Sequence, residues 1–328
     1  MNGKGARAMT AGPATNQLVD PQGRVIRKLR LSLTDRCQLR CRYCMPVAAP
    51  FLRAEHYLRP EEYRDIVAEL AAWGIRQVRL TGGEPLLRQE FPEIVTALAT
   101  IPSLELSLTT NGLLLPRYLP LLKQVGLCRI NISLDTLQPE TFYRLTHRQG
   151  LEQVTQAIAQ AVQGGFQVKL NMVVMRHIND QELSAMVTYG QQQGVAEVRF
   201  LELMRVGYAC HLPQDTFVSA QEMQARLQAH YQLTPIPSPP DSTVLRFRTN
   251  SGFTLGFMAS ESQPFCGSCS RWRLSADGVL RACLFREEGI SLRGLDPHQR
   301  QQVYQQLLGM KPRVRGEMVA HAMYQIGG

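Results

Sequence analysis

Residues 28–34, Lys-Leu-Arg-Leu-Ser-Leu-Thr, alternate apolar and polar positions with period two, the mark of a strand, and run straight into a group of cysteines. Pro60 stands at the first position of a helical pattern carried by Ile66 and Leu70 as far as Trp73, where Gly74 stops it. The rhythm then repeats. Strands are predicted at 78–81, 104–109 and 128–134, with helices at 91–98 and 118–124 between them. A helix over 151–162 ends at Gly164-Gly165, a strand follows at 166–174, and helix 181–192 with strand 195–203 repeats the pair. Strands that alternate with helices in this way predict an α/β fold of about six right-handed β-α units on a parallel sheet. Periodicity does not decide whether that sheet curls into a partial barrel, but the motifs recur at strand ends, where such folds place their chemistry.

Residues 1–21 lack periodicity and are rich in Gly, Ala, Asn and Thr, so residues 1–24 are read as a flexible N-terminal arm. The four prolines of 231–240 read as a linker, which divides the rest into a unit over 25–235 and a smaller module over 236–328. Short strands are expected in that module at 244–249 and 254–258, with a turn at Asp277-Gly278 and a helix near 299–308.

Composition narrows the class. With 44% hydrophobic and 19% charged residues in 328, a disordered chain is excluded. The net charge of +9 suits nucleic acid, a membrane surface or a highly phosphorylated small molecule. The first 23 residues have no apolar core of the signal-peptide kind, and no window holds 18 consecutive apolar residues, so a soluble, cytoplasmic protein is expected.

Six of the eight cysteines fall in two groups, Cys37, Cys41 and Cys44 as CxxxCxxC, and Cys266, Cys269 and Cys283 as CxxC with a later third. Grouped thiols of this kind favour metal binding over disulfides. Each group offers three ligands and no histidine, whereas a closed zinc site needs four, so Cys128 or Cys210 would have to join; Cys128 reads as a core thiol of its strand. Three thiolates on a four-iron cubane would instead leave one iron open. Arg30, Arg79, Lys169 and Arg199 stand on predicted strands, where apolar residues are usual. Such bases need anions, either Asp35, Glu84, Asp135 and Glu202 or a polyphosphate, for which arginine has the fitting geometry.

CxxxCxxC with Tyr43 before the last cysteine resembles the signature of the radical S-adenosylmethionine superfamily. From Val25 to the C-terminus the chain more closely resembles the GTP 3',8-cyclase family of molybdenum cofactor biosynthesis. The resemblance is carried by LSLTDRC at 31–37, YCMP at 43–46, RLTGGEPLL at 79–87, TTNG at 109–112, NISLD at 131–135, VKLN at 168–171, VRFLE at 198–202, RACLF at 281–285 and the terminal IGG. It implies an incomplete TIM-type barrel with a cluster-binding C-terminal module, S-adenosylmethionine, and two 4Fe-4S clusters on Cys37, Cys41, Cys44 and on Cys266, Cys269, Cys283. By the same resemblance Tyr43, Gly83, Glu84, Ser133 and Met204 lie near S-adenosylmethionine. Arg30, Arg79, Thr110, Lys169, Arg199, Arg271, Trp272 and Arg273 lie near GTP, and the Gly327-Gly328 tail reaches into the site.

The implied reaction is abstraction of the ribose 3' hydrogen by a 5'-deoxyadenosyl radical, attack on guanine C8 and reduction of the aminyl radical. It calls for an external one-electron reductant and a downstream cyclic pyranopterin monophosphate synthase; a homodimer is compatible, and no nucleic-acid or membrane partner is implied. None of the seven histidines is assigned a role. The chain departs from the family pattern at Gln77, where a base is common, at Arg205 in place of proline and at His321 in place of arginine; Arg205 would compensate for Gln77. Two other readings compete. One is a different radical S-adenosylmethionine enzyme with an auxiliary cluster, such as a peptide-maturing enzyme. The other is a zinc-supported nucleic-acid binder, against which the bases are dispersed and lack interleaved aromatics.

Overall fold

A computed structural model of the chain describes residues 17–316, 319 and 321–327. In chain order the elements are β1 (Lys28–Ser32), α1 (Pro60–Ala72), β2 (Gln77–Thr81), α2 (Phe91–Ala99), β3 (Glu105–Thr110), α3 (Leu115–Gln124), β4 (Arg129–Ser133), α4 (Pro139–Thr146), α5 (Leu151–Gln163) and β5 (Gln167–Val174). There follow α6 (Leu183–Gln193), β6 (Glu197–Glu202), α7 (Ala220–Gln228), β7 (Thr234–Ile236), β8 (Leu245–Arg248), β9 (Thr254–Met258), β10 (Arg271–Leu274), β11 (Val279–Arg281), β12 (Ile290–Ser291) and α8 (Pro297–Gly309).

Helices α1, α2, α3, α4 and α8 each carry proline in the first turn, where its missing N–H costs nothing. Helices α4 and α7 were not expected from periodicity. Both are short and mostly polar; α4 starts at such a proline, and α7 at Ser219, whose hydroxyl accepts from the Glu222 amide at 3.1 Å.

Among the described residues one sheet holds all twelve strands, in the order β12-β11-β10-β1-β2-β3-β4-β5-β6-β9-β8-β7. The eight from β10 to β9 run parallel, and antiparallel hairpins finish both edges. The two edges do not pair with each other, so the barrel is incomplete, as expected. The C-terminal third is therefore woven into the same sheet, with β9 on β6 and β10 on β1. The expected linker 231–240 supplies β7, and the boundary expected at 235/236 falls inside that strand. Pro235 fits there because an edge strand has a free side that needs no N–H donor.

Residues 17–24, expected within the loose arm, are packed. Leu18 is fully buried, its amide donates to the Trp73 carbonyl at 3.2 Å, and Val19 bridges to Val25. Residues 1–16 of that arm lie outside the described residues. Cys128, expected in the core, is exposed just ahead of β4.

The strands alternate between two faces. Leu29 and Leu31 of β1 and Val168 and Leu170 of β5 face the helical layer in a continuous core, while Arg30 and Lys169 face inward. On β10 the same alternation turns Arg271 and Arg273 inward and Trp272 outward, fully buried against Tyr304 of α8 with ring centroids 6.3 Å apart. Trp272, expected beside the nucleotide, is thus a core residue: neighbours in a strand point to opposite faces. Trp272→Ala is expected to cost about 3–5 kcal/mol in urea denaturation, and Trp272→Phe about 1–2 kcal/mol; a loss well below about 1 kcal/mol in the alanine variant would remove the indole from the core.

Candidate active site

The loop after β1 carries Cys37, Cys41 and Cys44, folded by a turn in which the Cys44 amide donates to the Cys41 carbonyl at 2.8 Å. These thiols share a cleft with Tyr43, Gly83, Glu84, Ser133 and Met204, and also with Thr110, Asn111 and Asp135. The glycine turn after β2 is stitched to the cysteine loop, since Gly83 N–H donates to Thr34 O at 2.6 Å and Glu84 N–H to Arg36 O at 2.7 Å. A Cβ on Gly83 would lie 2.3 Å from Arg36 O and 2.6 Å from Asp35 O, both backbone atoms that cannot step aside. Close approach makes glycine obligatory there.

Glu84 is 1% exposed and binds the end of β3 to this turn, accepting from Asn111 N at 2.7 Å, Thr110 Oγ1 at 2.7 Å and Leu86 N at 3.1 Å. Burial pushes its carboxyl up to about 7 against the pull of those donors. Asp135 accepts from Tyr43 Oη at 2.7 Å and Val173 N at 2.9 Å, and burial lifts it to about 6. Burial likewise pushes the thiols of Cys37 and Cys44 up to about 12, helped by Glu84 at Cys37 and by Cys37 at Cys44. A metal bound here must displace those protons.

The second chamber is the inside of the barrel. The pairing register Arg273↔Arg30, Arg30↔Arg79 and Arg79↔Ser107 carries one inward row across the sheet, and Lys169 and Arg199 project from β5 and β6. Eight bases line it (Lys28, Arg30, Arg79, Arg129, Lys169, Arg199, Arg246 and Arg271) against Asp241 alone on the wall among the described residues, and Arg129 also pairs with Glu105 at the rim. Behind the wall the buried Glu197 accepts from Lys169 Nζ at 2.8 Å, Arg199 Nη2 at 3.0 Å and Arg246 Nε at 3.2 Å. Burial opposes its ionisation, but Arg199 and Lys169 prevail and hold it down at about 2. Among the described residues Arg30 has no carboxylate partner, and Arg79 reaches only Ser107 Oγ at 3.4 Å. Burial and neighbouring guanidiniums pull both well below the usual arginine range.

The carboxylates expected to pair with these bases are engaged elsewhere. Asp35 accepts from Leu52 N at 2.7 Å and from Tyr57 Oη, Glu84 and Asp135 sit in the thiol cleft, and Glu202 takes the amides of Ala220, Glu261 and Ser262. They close loops at strand ends, whereas the bases lie inside the barrel.

Cys266 and Cys269 sit in the turn leading into β10, and the pairing Arg273↔Arg281 brings Cys283, just past β11, back to the same end. Arg271 Nη2 donates to Cys269 Sγ at 3.5 Å while lining the basic chamber. The first triplet lies beyond the far end of β1, so the two triplets stand at opposite mouths of the barrel, with the five residues of β1, a strand about 17 Å long, between those ends. Arg30, Arg79, Arg199 and Thr243 belong to both chambers. Among the described residues no three of His, Cys, Asp and Glu converge as one metal ion requires. A cubane, by contrast, distributes its thiolates over separate irons, and that donor set fits both triplets.

The tail enters the same space. Gly327, at φ +71°, lies where a Cβ would meet Thr81 Oγ1 at 2.7 Å and Ser32 Cβ at 3.2 Å, and its carbonyl accepts from Arg273 Nη1. Gly328 lies outside the described residues.

Residues 31–189 match the radical SAM superfamily model, and residues 196–314 match the model for Molybdenum Cofactor Synthesis C. A GTP 3',8-cyclase of Synechocystis sp. is 52% identical over 316 residues, covering 96% of each chain. One of Aquifex aeolicus is 39% identical over 280 residues, 84% of this chain and 87% of that one. The chain belongs to the GTP 3',8-cyclase family. Use of S-adenosylmethionine and iron-sulfur chemistry comes with that membership. Streptococcus suis SuiB bound to its precursor peptide SuiA superposes with a TM-score of 0.65 at 12% identity, over 85% of this chain and 65% of SuiB, a likeness of fold alone. No helix among the described residues is long and apolar enough to cross a membrane.

This family member arranges its departures in a way the sequence did not reveal. Gln77 donates to Glu105 at 2.8 Å on the chamber rim, and the Arg205 amide is held by Glu261 at 3.2 Å. Arg205 lines neither chamber, so it does not replace a base at 77. Lys28, Arg129 and Arg246 are the chamber bases that sequence reasoning missed, and the inward phase of β1, β4 and β8 was the available signal. Thr110, expected beside GTP, lies in the thiol cleft with its hydroxyl on Glu84. Asn111, unassigned before, donates to Cys37 Sγ at 3.6 Å. His321 Nε2 lies 3.1 Å from the Glu287 carbonyl.

Gly83→Ala is expected to displace the loop bearing Cys37 and to reduce iron held at the first triplet at least about fivefold, read by iron analysis after anaerobic reconstitution; wild-type iron content would refute the obligatory contact. Because burial raises the Glu84 carboxyl to about 7, the native state keeps a proton that the unfolded chain releases above the ordinary carboxylate range. Its contribution to stability therefore declines as pH rises from about 4.5 to about 7. Urea denaturation across that window should show a shallower decline for Glu84→Gln than for the unsubstituted protein, and parallel slopes would contradict it.

Proposed function

We propose that the chain converts GTP to (8S)-3',8-cyclo-7,8-dihydroguanosine 5'-triphosphate, the first step of molybdenum cofactor biosynthesis, with two 4Fe-4S clusters. The observation that carries this reading is a chamber whose eight bases outnumber the three carboxylates paired with them, lying between two thiol triplets at opposite mouths of one barrel. Cys37, Cys41 and Cys44 would hold the cluster that, with S-adenosylmethionine, supplies the 5'-deoxyadenosyl radical; Cys266, Cys269 and Cys283 would hold the second.

The chain's own residues bind and orient. A triphosphate near −4 needs several cations, and Arg30, Arg79, Lys169 and Arg199 converge with Arg129 and Arg246 on one space. Glu197 keeps Lys169, Arg199 and Arg246 spread across the wall before nucleotide arrives. The three arginines and one threonine common to both chambers form the passage by which a nucleotide held on the barrel wall reaches the thiol cleft. Gly83, Tyr43, Ser133 and Met204 surround that cleft, where S-adenosylmethionine would lie. Arg273 fixes the Gly327 carbonyl against Ser32 and Thr81, which holds the tail at the inner wall. An external one-electron reductant supplies electrons, and the product passes to a cyclic pyranopterin monophosphate synthase. A peptide-maturing activity, the alternative that the two cysteine groups and the GGEP turn also admit, leaves the chamber's charge unexplained, since a peptide has no anion of that density.

Anaerobic incubation with reductant, S-adenosylmethionine and GTP is expected to yield 5'-deoxyadenosine and the cyclised triphosphate, and sulfonium cleavage indifferent to GTP would sink the proposal. In the same assay Arg79→Ala or Lys169→Ala should raise the GTP KM about 10- to 100-fold, the worth of one charge-assisted contact. Cys41→Ser should abolish cleavage.

A further inference from the structure

Lys311, in the segment after α8, is 4% exposed, and its ammonium points at the second thiol triplet. Nζ lies 3.4 Å from Cys269 Sγ, 2.8 Å from Arg271 O and 3.0 Å from Ala282 O. A lysine has three N–H donors, so all are spent. The partners belong to two different limbs, Cys269 and Arg271 at the start of β10 and Ala282 next to Cys283 beyond β11. The backbone of Lys311 is itself held, because buried Arg24 donates to Lys311 O at 3.1 Å, to Pro312 O at 2.8 Å and to Cys266 O at 2.7 Å.

The two buried cations differ in one respect. Arg24 has a carboxylate, Asp20, at 2.6 Å; Lys311 has none among the described residues. A buried ammonium without a counter-ion is strongly unfavourable, and the anions that face it here are the sulfurs of the triplet. Three thiolates carry more negative charge than an oxidised four-iron core offsets, and reduction adds another unit. We propose that Lys311 is the built-in counter-charge of the second cluster, a positioning residue that joins the limbs bearing Cys269 and Cys283 and holds the cluster's reduction potential up. The inference rests on the reading that this triplet carries a cluster. Charge and hydrogen bonds at cluster sulfurs are among the levers that set such potentials, and an adjacent cation favours the more negative, reduced form.

The test is a redox titration of the reconstituted holoprotein followed by electron paramagnetic resonance, with iron analysis alongside. Lys311→Gln keeps donors for the carbonyls but removes the charge. At the unsubstituted protein's midpoint its second cluster should show a reduced-to-oxidised ratio about tenfold lower, a shift of about 59 mV to more negative potential for one electron. Lys311→Met should shift at least as far or lose iron from the second site alone, while the first cluster's signal persists. Lys311→Arg restores the charge and should bring the midpoint back. An unchanged midpoint with full iron in the glutamine and methionine variants overturns the proposal. So does an arginine variant that behaves like the glutamine one, including the case in which both lose second-site iron or fail to fold. The underlying reading is checked separately: if Cys266→Ser/Cys269→Ser/Cys283→Ser holds as much iron as the unsubstituted protein, there is no second cluster, whatever Lys311 does.

Discussion

Positive charge enclosed by the barrel is the constraint on which the remaining features depend. Eight bases line one chamber, and the three carboxylates that pair with them, Asp241, Glu105 and Glu197, are committed to Lys28, to Arg129 and to the Lys169, Arg199 and Arg246 group. Cations gathered inside a fold repel one another and lose hydration, so a chain that keeps them stabilises a bound anion at the expense of the empty state. The depressed arginines record that tension. It also explains why strands in a parallel sheet alternate polar and apolar where near-continuous apolar runs are usual: their inner face lines the basic chamber, and only the outer face meets helices.

The two mouths of the barrel are built on different electrostatic principles. At the first, burial makes the thiols hard to ionise, and nearby carboxylates add to it, Glu84 at Cys37 and Asp135 at Cys41 and Cys44. At the second, burial still works against Cys269, but Arg271 and Lys311 prevail and bring its thiol down to about 6. Cys266 at the same mouth is still pushed up by burial, so the contrast with the first triplet is carried by Cys269. Backbone contact finishes the first mouth. Gly83 and Gly327 occupy places where any Cβ would strike a neighbour, so the turn after β2 packs on the cysteine loop, and the tail on Ser32 and Thr81, as bare main chain.

The C-terminal third does more than add a module. By contributing β9 and β10 to opposite sides of the parallel run, it extends the curl around the chamber and carries Arg246 and Arg271 to its wall. Short strands such as β11 and β12 have little stability alone, and pairing with an existing edge both orders them and covers it.

Much of this was legible in the chain itself. Period-two and helical patterns located β1 to β6 and most intervening helices within a few residues, because burial on one face imposes a local rhythm. The cysteine spacings and the bases on strands pointed to metal and polyphosphate without any coordinates. What stayed hidden was decided by pairing between distant segments. The outward phase of Trp272, the engagement of Lys169 and Arg199 by Glu197 in place of the expected acids, the use of the proline-rich stretch as an edge strand and the burial of Lys311 beside Cys269 all depend on which strand lies next to which. A local pattern fixes the face of a residue within its own element, whereas its neighbour across a sheet is set by the register of two segments that can be hundreds of residues apart, and only the folded chain brings them together.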